Sequence, residues 1–193
     1  NENYIQPNKK DGIDQDIIRG IYQFDTVGNP EHPHIKLLGS GTILLQVIEA
    51  ARLITTHFKV SCHIFSVTSY SEMAREEMGR ERLKRLGQPS KPTQIDRYLK
   101  GPQAIVAVTD YVRAVPAQIS PYIHNGMHVL GTDGFGRSSS RAALRAFFEV
   151  NPSSIALTAI MALIDQNVLP PDAHSQAKRV FKLEQEPDLC GPW

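Results

Sequence analysis

Ala104-Ile-Val-Ala-Val-Thr109 is the stretch that most limits how this chain can fold. It is an unbroken apolar run with a Gly-Pro turn shortly before it and Asp110 after it. A strand of that composition is buried on both faces, as happens where helices cover both sides of a parallel sheet. Parallel strands need crossovers of a dozen or more residues, commonly helical, so strands and helices should alternate along the rest of the chain.

The spacing of apolar residues predicts that alternation. Gly20-Ile-Tyr-Gln-Phe-Asp25 alternates apolar and polar and reads as an edge strand, with an antiparallel partner a further expectation. Ile35-Lys-Leu-Leu38 reads as a strand, Gly39-Ser-Gly41 as a turn, and Ile43, Val47, Ala50, Ala51, Ile54 and Phe58 as one face of a helix. Val60 to Val67 is a further strand, and Ser69-x-x-Glu72 is a capping box opening a charged helix that ends near Gly87. After Ala104–Thr109, Asp110 is the expected cap of a helix carrying Val112, Val115, Ile119, Tyr122 and Ile123. Met127 to Leu130 is a short strand, Ser138 the expected cap of a helix with Leu144, Phe147 and Phe148 inward, and Asn151-Pro152 the start of a helix through Ile164. Residues Gln6 to Asp16 are polar and turn-like. The fold class is therefore α/β, a three-layer and mostly parallel sheet with helices on both faces. We divide the chain into a linker over 1–15, one domain over 16–181 and a loosely held tail over 182–193.

Charge and cysteine content narrow the classes of function. Lys plus Arg is 21 and Asp plus Glu is 20, a net charge of +1, which gives no sequence-wide pull toward nucleic acid or acidic lipid. Ile155 to Ile164 is about half the ~20 apolar residues that span a bilayer, so no membrane role is expected. Cys62 and Cys190 form no disulfide framework, which suits the cytoplasm. The first residue is not Met and the opening is polar, which reads as the middle of a longer polypeptide.

In a parallel sheet, ligands bind in loops after the carboxyl ends of strands. That directs attention to Gly39, Ser40 and Gly41, to Asp110 and Tyr111, and above all to Val129-Leu-Gly-Thr-Asp-Gly-Phe-Gly-Arg-Ser-Ser-Ser-Arg141. The last brings Gly131, Asp133, Gly134, Phe135, Gly136, Arg137 and Arg141 into one bent loop, a candidate binding or interface element. Its structural alternative is that glycines permit positive φ, Asp133 bonds backbone and Arg137 pairs with a carboxylate. Leu44 stands where a dinucleotide fingerprint needs its third glycine, so Gly39-Ser-Gly41 is read as a tight turn with close backbone packing, able at most to hold an anion at a helix start. His32-Pro-His34 is read as an exposed loop, with His57 and His63 in other elements and no metal site expected. The mixed run Arg75 to Arg85 is read as a solvated face, with Glu76 to Arg80 and Glu81 to Arg85 paired at four-residue spacing.

Several of these stretches, together with others along the chain, carry a family resemblance. Asn1-Glu-Asn-Tyr4, Arg19-Gly-Ile-Tyr22, Leu37-Leu-Gly-Ser-Gly41, Ile64-Phe-Ser-Val-Thr-Ser69, Thr109-Asp-Tyr111, Val129 to Arg141 and Phe147-Phe-Glu-Val150 stand in the order found in one family. The chain resembles the C-terminal domain of the homodimeric decarboxylating component of pyruvate dehydrogenase complexes, within the transketolase-like superfamily. The resemblance covers the chain to about Ala162. It implies an oxidoreductase that uses thiamine diphosphate and Mg2+, decarboxylates a 2-oxo acid and passes the acyl group to the lipoyl group of a partner acyltransferase. It also implies that the cofactor lies between upstream domains at a dimer interface, so that this segment supplies interdomain and dimer contacts. Asp133-Gly134 is similar to the Gly-Asp-Gly that opens the family's magnesium-diphosphate motif, but Thr132 replaces the first glycine. The asparagine expected within Ala156 to Leu163 is absent. No catalytic, cofactor-binding or metal residue is therefore assigned here, and the isolated segment is expected to be inactive. Ser139 stands where the family often has an acid. The alternative reading is a stand-alone regulatory or assembly module whose glycine loops bind a small anion.

Overall fold

The computed structural model describes residues 8–183. Asn1-Glu-Asn-Tyr4, Cys190 and most of the expected tail lie outside the described residues. Five strands form one sheet in the order β1-β3-β2-β4-β5. They are β1 (Ile21–Val27), β2 (His34–Ser40), β3 (Ser61–Val67), β4 (Ile105–Val108) and β5 (His128–Leu130). β1 is the antiparallel edge strand on β3, with a bulge between Gln23 and Asp25, and the remaining pairs are parallel. The α/β class and the layering expected from the alternation are what the molecule adopts.

The helices are α1 (Asp14–Ile18), α2 (Leu44–His57), α3 (Tyr70–Arg85), α4 (Ala114–Ala117), α5 (Arg141–Phe147), α6 (Pro152–Asp165) and α7 (Ala173–Val180). One sheet face packs Ile35, Leu37, Ile64 and Val106 against residues of α2, α6 and α7 such as Val47, Ile54, Ile160 and Ala177. The other packs Leu38, Phe65 and Ile105 against Tyr70, Met73, Leu99 and Ile119. Successive residues of a strand point to opposite faces, so the apolar β4 run feeds both cores, as its composition demands. Arg141–Asp165 has the length and apolarity of a bilayer span. It is divided here into α5 and α6, and in α6 Ile155, Ala156, Ala159, Ile160, Ala162 and Leu163 lie in the first core. Asn151 caps α6 through Ser154 N at 2.9 Å, as its sequence position predicts.

The chain runs from β2 through α2 to β3 on one side of β2, then through α3 to β4 on the other. The strand order thus reverses between β2 and β4. Crossovers of one hand on either side of such a point place α2 and α3 on opposite faces and leave a crevice beyond the strand carboxyl ends.

Several local expectations are corrected. Ser140, not Ser138, caps α5, accepting from Ala143 N at 3.2 Å. Ser69 accepts from Glu72 N at 3.1 Å, but the Glu72 carboxylate turns to Arg75, so only half of the capping box forms. The turn-like 6–16 stretch ends in α1, whose Asp16 is 6% exposed and accepts from Gln94 Nε2 (3.1 Å), Arg97 (2.7 Å) and Tyr98 Oη (2.7 Å). Those partners come from a π-helical turn, Ile95–Leu99, and from the residue before it. The mixed run on α3 is not merely solvated. Glu77 is 0% exposed and accepts from Thr93 Oγ1 at 2.5 Å while pairing with Arg80, and Glu76 pairs with Arg19 and accepts from Gln94 N at 2.7 Å. Arg80 also meets Asp96 at 2.7 Å. Its pairing to Glu77 is thus at three-residue spacing, and Glu76 looks away from it.

Candidate functional site

The β2 and β4 carboxyl ends are joined by Ser40 Oγ, which donates to Thr109 Oγ1 at 2.7 Å in a buried position. Gly39 precedes it. A Cβ at Gly39 would lie 2.8 Å from Leu44 Cα and 3.1 Å from Val47 Cγ2, so the glycine lets α2 pass directly over the strand. The close backbone packing read from Gly39-Ser-Gly41 is present, and Gly39 is what accommodates Leu44. Gly41, at φ +56, opens a 3-10 turn over Gly41–Ile43 and faces Asp110.

The 131–137 loop follows β5 and folds back onto the loop after β4. Thr132 N donates to Tyr111 O at 2.8 Å and Thr132 Oγ1 to Asp110 O at 2.6 Å. Gly131 is packed so closely that a Cβ there would stand 2.7 Å from Tyr111 O. Asp133 Oδ1 accepts from Arg113 N at 2.7 Å and Oδ2 from Arg113 Nε at 2.5 Å. The cap expected of Asp110 on the helix that follows is therefore supplied across the loops by Asp133. Hydrogen bonds from the Arg113 side chain and then its backbone hold the Asp133 carboxyl below its usual range. Past Gly134, at φ +87, Phe135 is 96% exposed. Arg137, which the structural alternative would pair with a carboxylate, stacks over the Phe147 ring, 4.1 Å from its centroid.

The loop thus divides its residues. Gly131 and Asp133 fasten it to the domain. Gly134, Phe135, Gly136, Arg137 and Arg141 line a cleft of about 490 Å³ together with Thr42, Asp110 and Arg145. Tyr111, 63% exposed, lies outside that lining beside Val112. Arg145 escaped the sequence reading, although its four-residue spacing from Arg141 on one helix face was a usable signal. Among the described residues no group of three or more His, Cys, Asp or Glu is placed to hold a metal ion. Asp133, the residue most like a magnesium ligand in the sequence, has both oxygens on Arg113, so the residues here do not fit a magnesium-diphosphate site.

His57 and His63 do lie in different elements, α2 and β3, but His34, expected in an exposed loop, is the first residue of β2 and meets His63. His63 Nε2 lies 2.9 Å from His34 Nδ1, and His34 Nε2 lies 3.1 Å from Pro30 O. The carbonyl can only accept, so His34 Nε2 donates to it, and in a neutral His34 ring Nδ1 is left to accept from His63. Burial, then His34 and Lys36, lower the His63 pKa. Cys62 is buried, and burial pushes its thiol up to about 12.

A family model described as the transketolase-like TK C-terminal domain matches residues 20–151, and the chain belongs to that family. Within it, the chain is 40% identical over 188 residues to the pyruvate dehydrogenase E1 component of Cupriavidus necator, covering 95% of this chain and 21% of that protein. It is 38% identical over 190 residues to the same component of Pseudomonas aeruginosa, covering 96% and 22%. The chain spans about a fifth of the length of these relatives. Among solved structures, transketolase from Leishmania mexicana aligns with TM-score 0.52 at 18% identity, over 78% of this chain and 19% of that one. Transketolase from Campylobacter jejuni aligns with TM-score 0.51 at 18% identity, over 74% and 18%. These two similarities concern the fold.

Proposed function

We propose that this chain serves as the C-terminal domain of a thiamine-diphosphate- and Mg2+-dependent pyruvate dehydrogenase component. That enzyme decarboxylates pyruvate and acylates the lipoyl group of a partner acyltransferase in the cytoplasm. The observation that carries the reading is the 40% identity to an E1 component across 95% of the chain. The cofactor is assigned to the rest of the enzyme, because both oxygens of Asp133, the residue most similar to the family's magnesium motif, are held by Arg113. When bound, thiamine diphosphate supplies the carbanion stabilisation that decarboxylation requires.

The contribution of this segment is to form contacts. Tyr111, Val112 and Phe135 are exposed apolar side chains carried on the adjoining loops that follow β4 and β5. Exposed apolar groups gathered in one area are suited to being covered by another domain or subunit, here the upstream domains or the dimer partner.

The test is a chimera in which this chain replaces the matching C-terminal fifth of the Cupriavidus necator E1 component. Pyruvate-dependent reduction of an artificial electron acceptor is expected to be retained. A chimera that is folded and dimeric but inactive would overturn the assignment. The 193-residue chain alone is expected to give no magnesium-dependent heat with thiamine diphosphate, and saturable binding would move the cofactor site into this domain.

A further inference from the structure

We propose that His34 and His63 form a binding site for a divalent transition metal ion that takes nitrogen ligands at right angles, Ni(II) or Cu(II). The ion takes the place of the hydrogen between His63 Nε2 and His34 Nδ1, and His63 then carries its proton on Nδ1. Two imidazoles come from the protein and water completes the coordination. The site lies toward the amino ends of β2 and β3, at the opposite end of the sheet from the strand-end loops, and does not depend on the decarboxylase reading.

Rigid placement is the first support. β2 and β3 are parallel, and their Cα partners run without a break from His34 with Ser61, through Lys36 with His63, to Ser40 with Val67. Side chains two apart along a strand share a face, so His34 and His63 are diagonal neighbours on one face of the sheet. A site carried on strands is held more precisely than one carried on loops. The tautomer is the second. His34 Nε2 donates to Pro30 O at 3.1 Å, which leaves Nδ1 of a neutral His34 ring with its lone pair toward His63. One ring N–H held by a backbone carbonyl while the other nitrogen ligates is the usual arrangement of a metal-bound histidine. The turn that carries Pro30 is itself fastened to β3, by Ser61 Oγ donating to Asn29 O at 2.5 Å.

Distance decides the kind of ion. Two nitrogens bonded to one ion at about 2.0–2.1 Å lie about 2.9 Å apart when the bonds meet at a right angle and about 3.3–3.4 Å apart in a tetrahedron. The separation here is 2.9 Å, which matches the tetragonal geometry of Ni(II) and Cu(II) rather than the tetrahedron of Zn(II). The rings stand at 82° with centroids 4.7 Å apart, so edges meet and neither ring lies over the other. Both histidines are half-buried, so water reaches the ion. The neighbouring Lys36 carries a charge that opposes a cation, but its ammonium is drawn onto Lys100 O at 2.8 Å. Among the described residues no third His, Cys, Asp or Glu joins the pair, so the ion is held by two protein ligands and exchanges with the medium.

Calorimetry with nickel(II) chloride on the full chain, free of any affinity tag, tests the site. Saturable binding is expected, with zinc chloride weaker. His34→Ala and His63→Ala should each weaken Ni(II) by about tenfold or more, since even an outer partner of a metal ligand is worth about 10–100-fold. His124→Ala and His174→Ala, outside β2 and β3, should leave it unchanged. A variant that fails to fold would also lose the ion, so proton NMR follows the unaltered chain in parallel. Bound Ni(II) is expected to move two imidazole N–H signals far outside the ordinary range, one of them slow to exchange because Pro30 O holds it. No saturable binding, binding that His34→Ala and His63→Ala both leave intact, or a bound ion with no shifted imidazole N–H overturns the site. Zn(II) bound more tightly than Ni(II) overturns the right-angle geometry.

Discussion

The charged side chains around α3 and those around the 131–137 loop make opposite use of the same residue types. Near α3, Asp16, Glu76, Glu77 and Asp96 each meet a cation or donor brought from elsewhere in the chain, and much of the cluster is buried. Around the loop, Asp133 is consumed by Arg113, while Arg137, Arg141 and Arg145 line an open cleft. The first cluster fastens α1, α3 and the π-helical turn to one another. The second projects charge at a place where the sheet already offers a crevice.

Glu77→Ala should show the largest effect, because it removes a fully buried carboxylate from Arg80 and Thr93. We expect a loss of about 3 kcal/mol in urea unfolding, at the low end for a broken buried pair because Arg80 keeps Asp96. A loss below about 1 kcal/mol would mean the cluster is as exposed to water as the loop. Burial raises the Glu77 pKa above its ordinary 4.5, partly opposed by Thr93 and Arg80. Its proton-linked contribution is therefore fully present below pH 4.5 and lost as pH rises through the raised value, a slope that Glu77→Gln should remove.

Gly39→Ala tests whether the site region also contains core. Its Cβ would press on Leu44 Cα at 2.8 Å, which neither strand nor helix backbone can relieve cheaply. A cost of about 1–3 kcal/mol is expected in thermal unfolding. A neutral result would show that α2 is free to shift away from β2.

Asp133→Ala should cost about 1 kcal/mol or less globally, since its pair with Arg113 is partly exposed. Its effect should be local, with faster hydrogen exchange at the Arg113 amide. Asp133 is held below its usual 3.8 by Arg113, so its contribution is present above that pH and fades as pH falls through the depressed value. An Arg113 amide whose protection is unaltered between neutral and strongly acidic pH would rule out this fastening.

Phe135→Ala should have the smallest effect on stability, within about 0.5 kcal/mol, because the ring is 96% exposed. It should nonetheless weaken contact with neighbouring domains in the chimera. A large stability loss would place Phe135 in the core and remove the contrast between the two regions.

Much of the scaffold was legible because its signals are local. Unbroken apolarity at Ala104–Val108, two-residue alternation at Ile21–Phe24 and the Asn151-Pro152 start are each decided within a few residues, by strand geometry and capping. The missed α7 had such a signal too, in Ala173, Ala177 and Phe181, all of which are buried. What the sequence alone could not decide was which charges meet. Asp16 and Gln94 are 78 residues apart and Asp133 and Arg113 are 20 apart, so their pairing depends on strand order and on which loops the sheet makes adjacent. The same holds for the cleft. The sequence determined that Gly39-Ser-Gly41, Asp110 and Gly131–Arg137 follow strands. Only the reversal of strand order between β2 and β4 brought Thr42, just past Gly41, together with Asp110 and residues 134–137 around one crevice and set α5 beside it, adding Arg145 and leaving Asp133 on the scaffold.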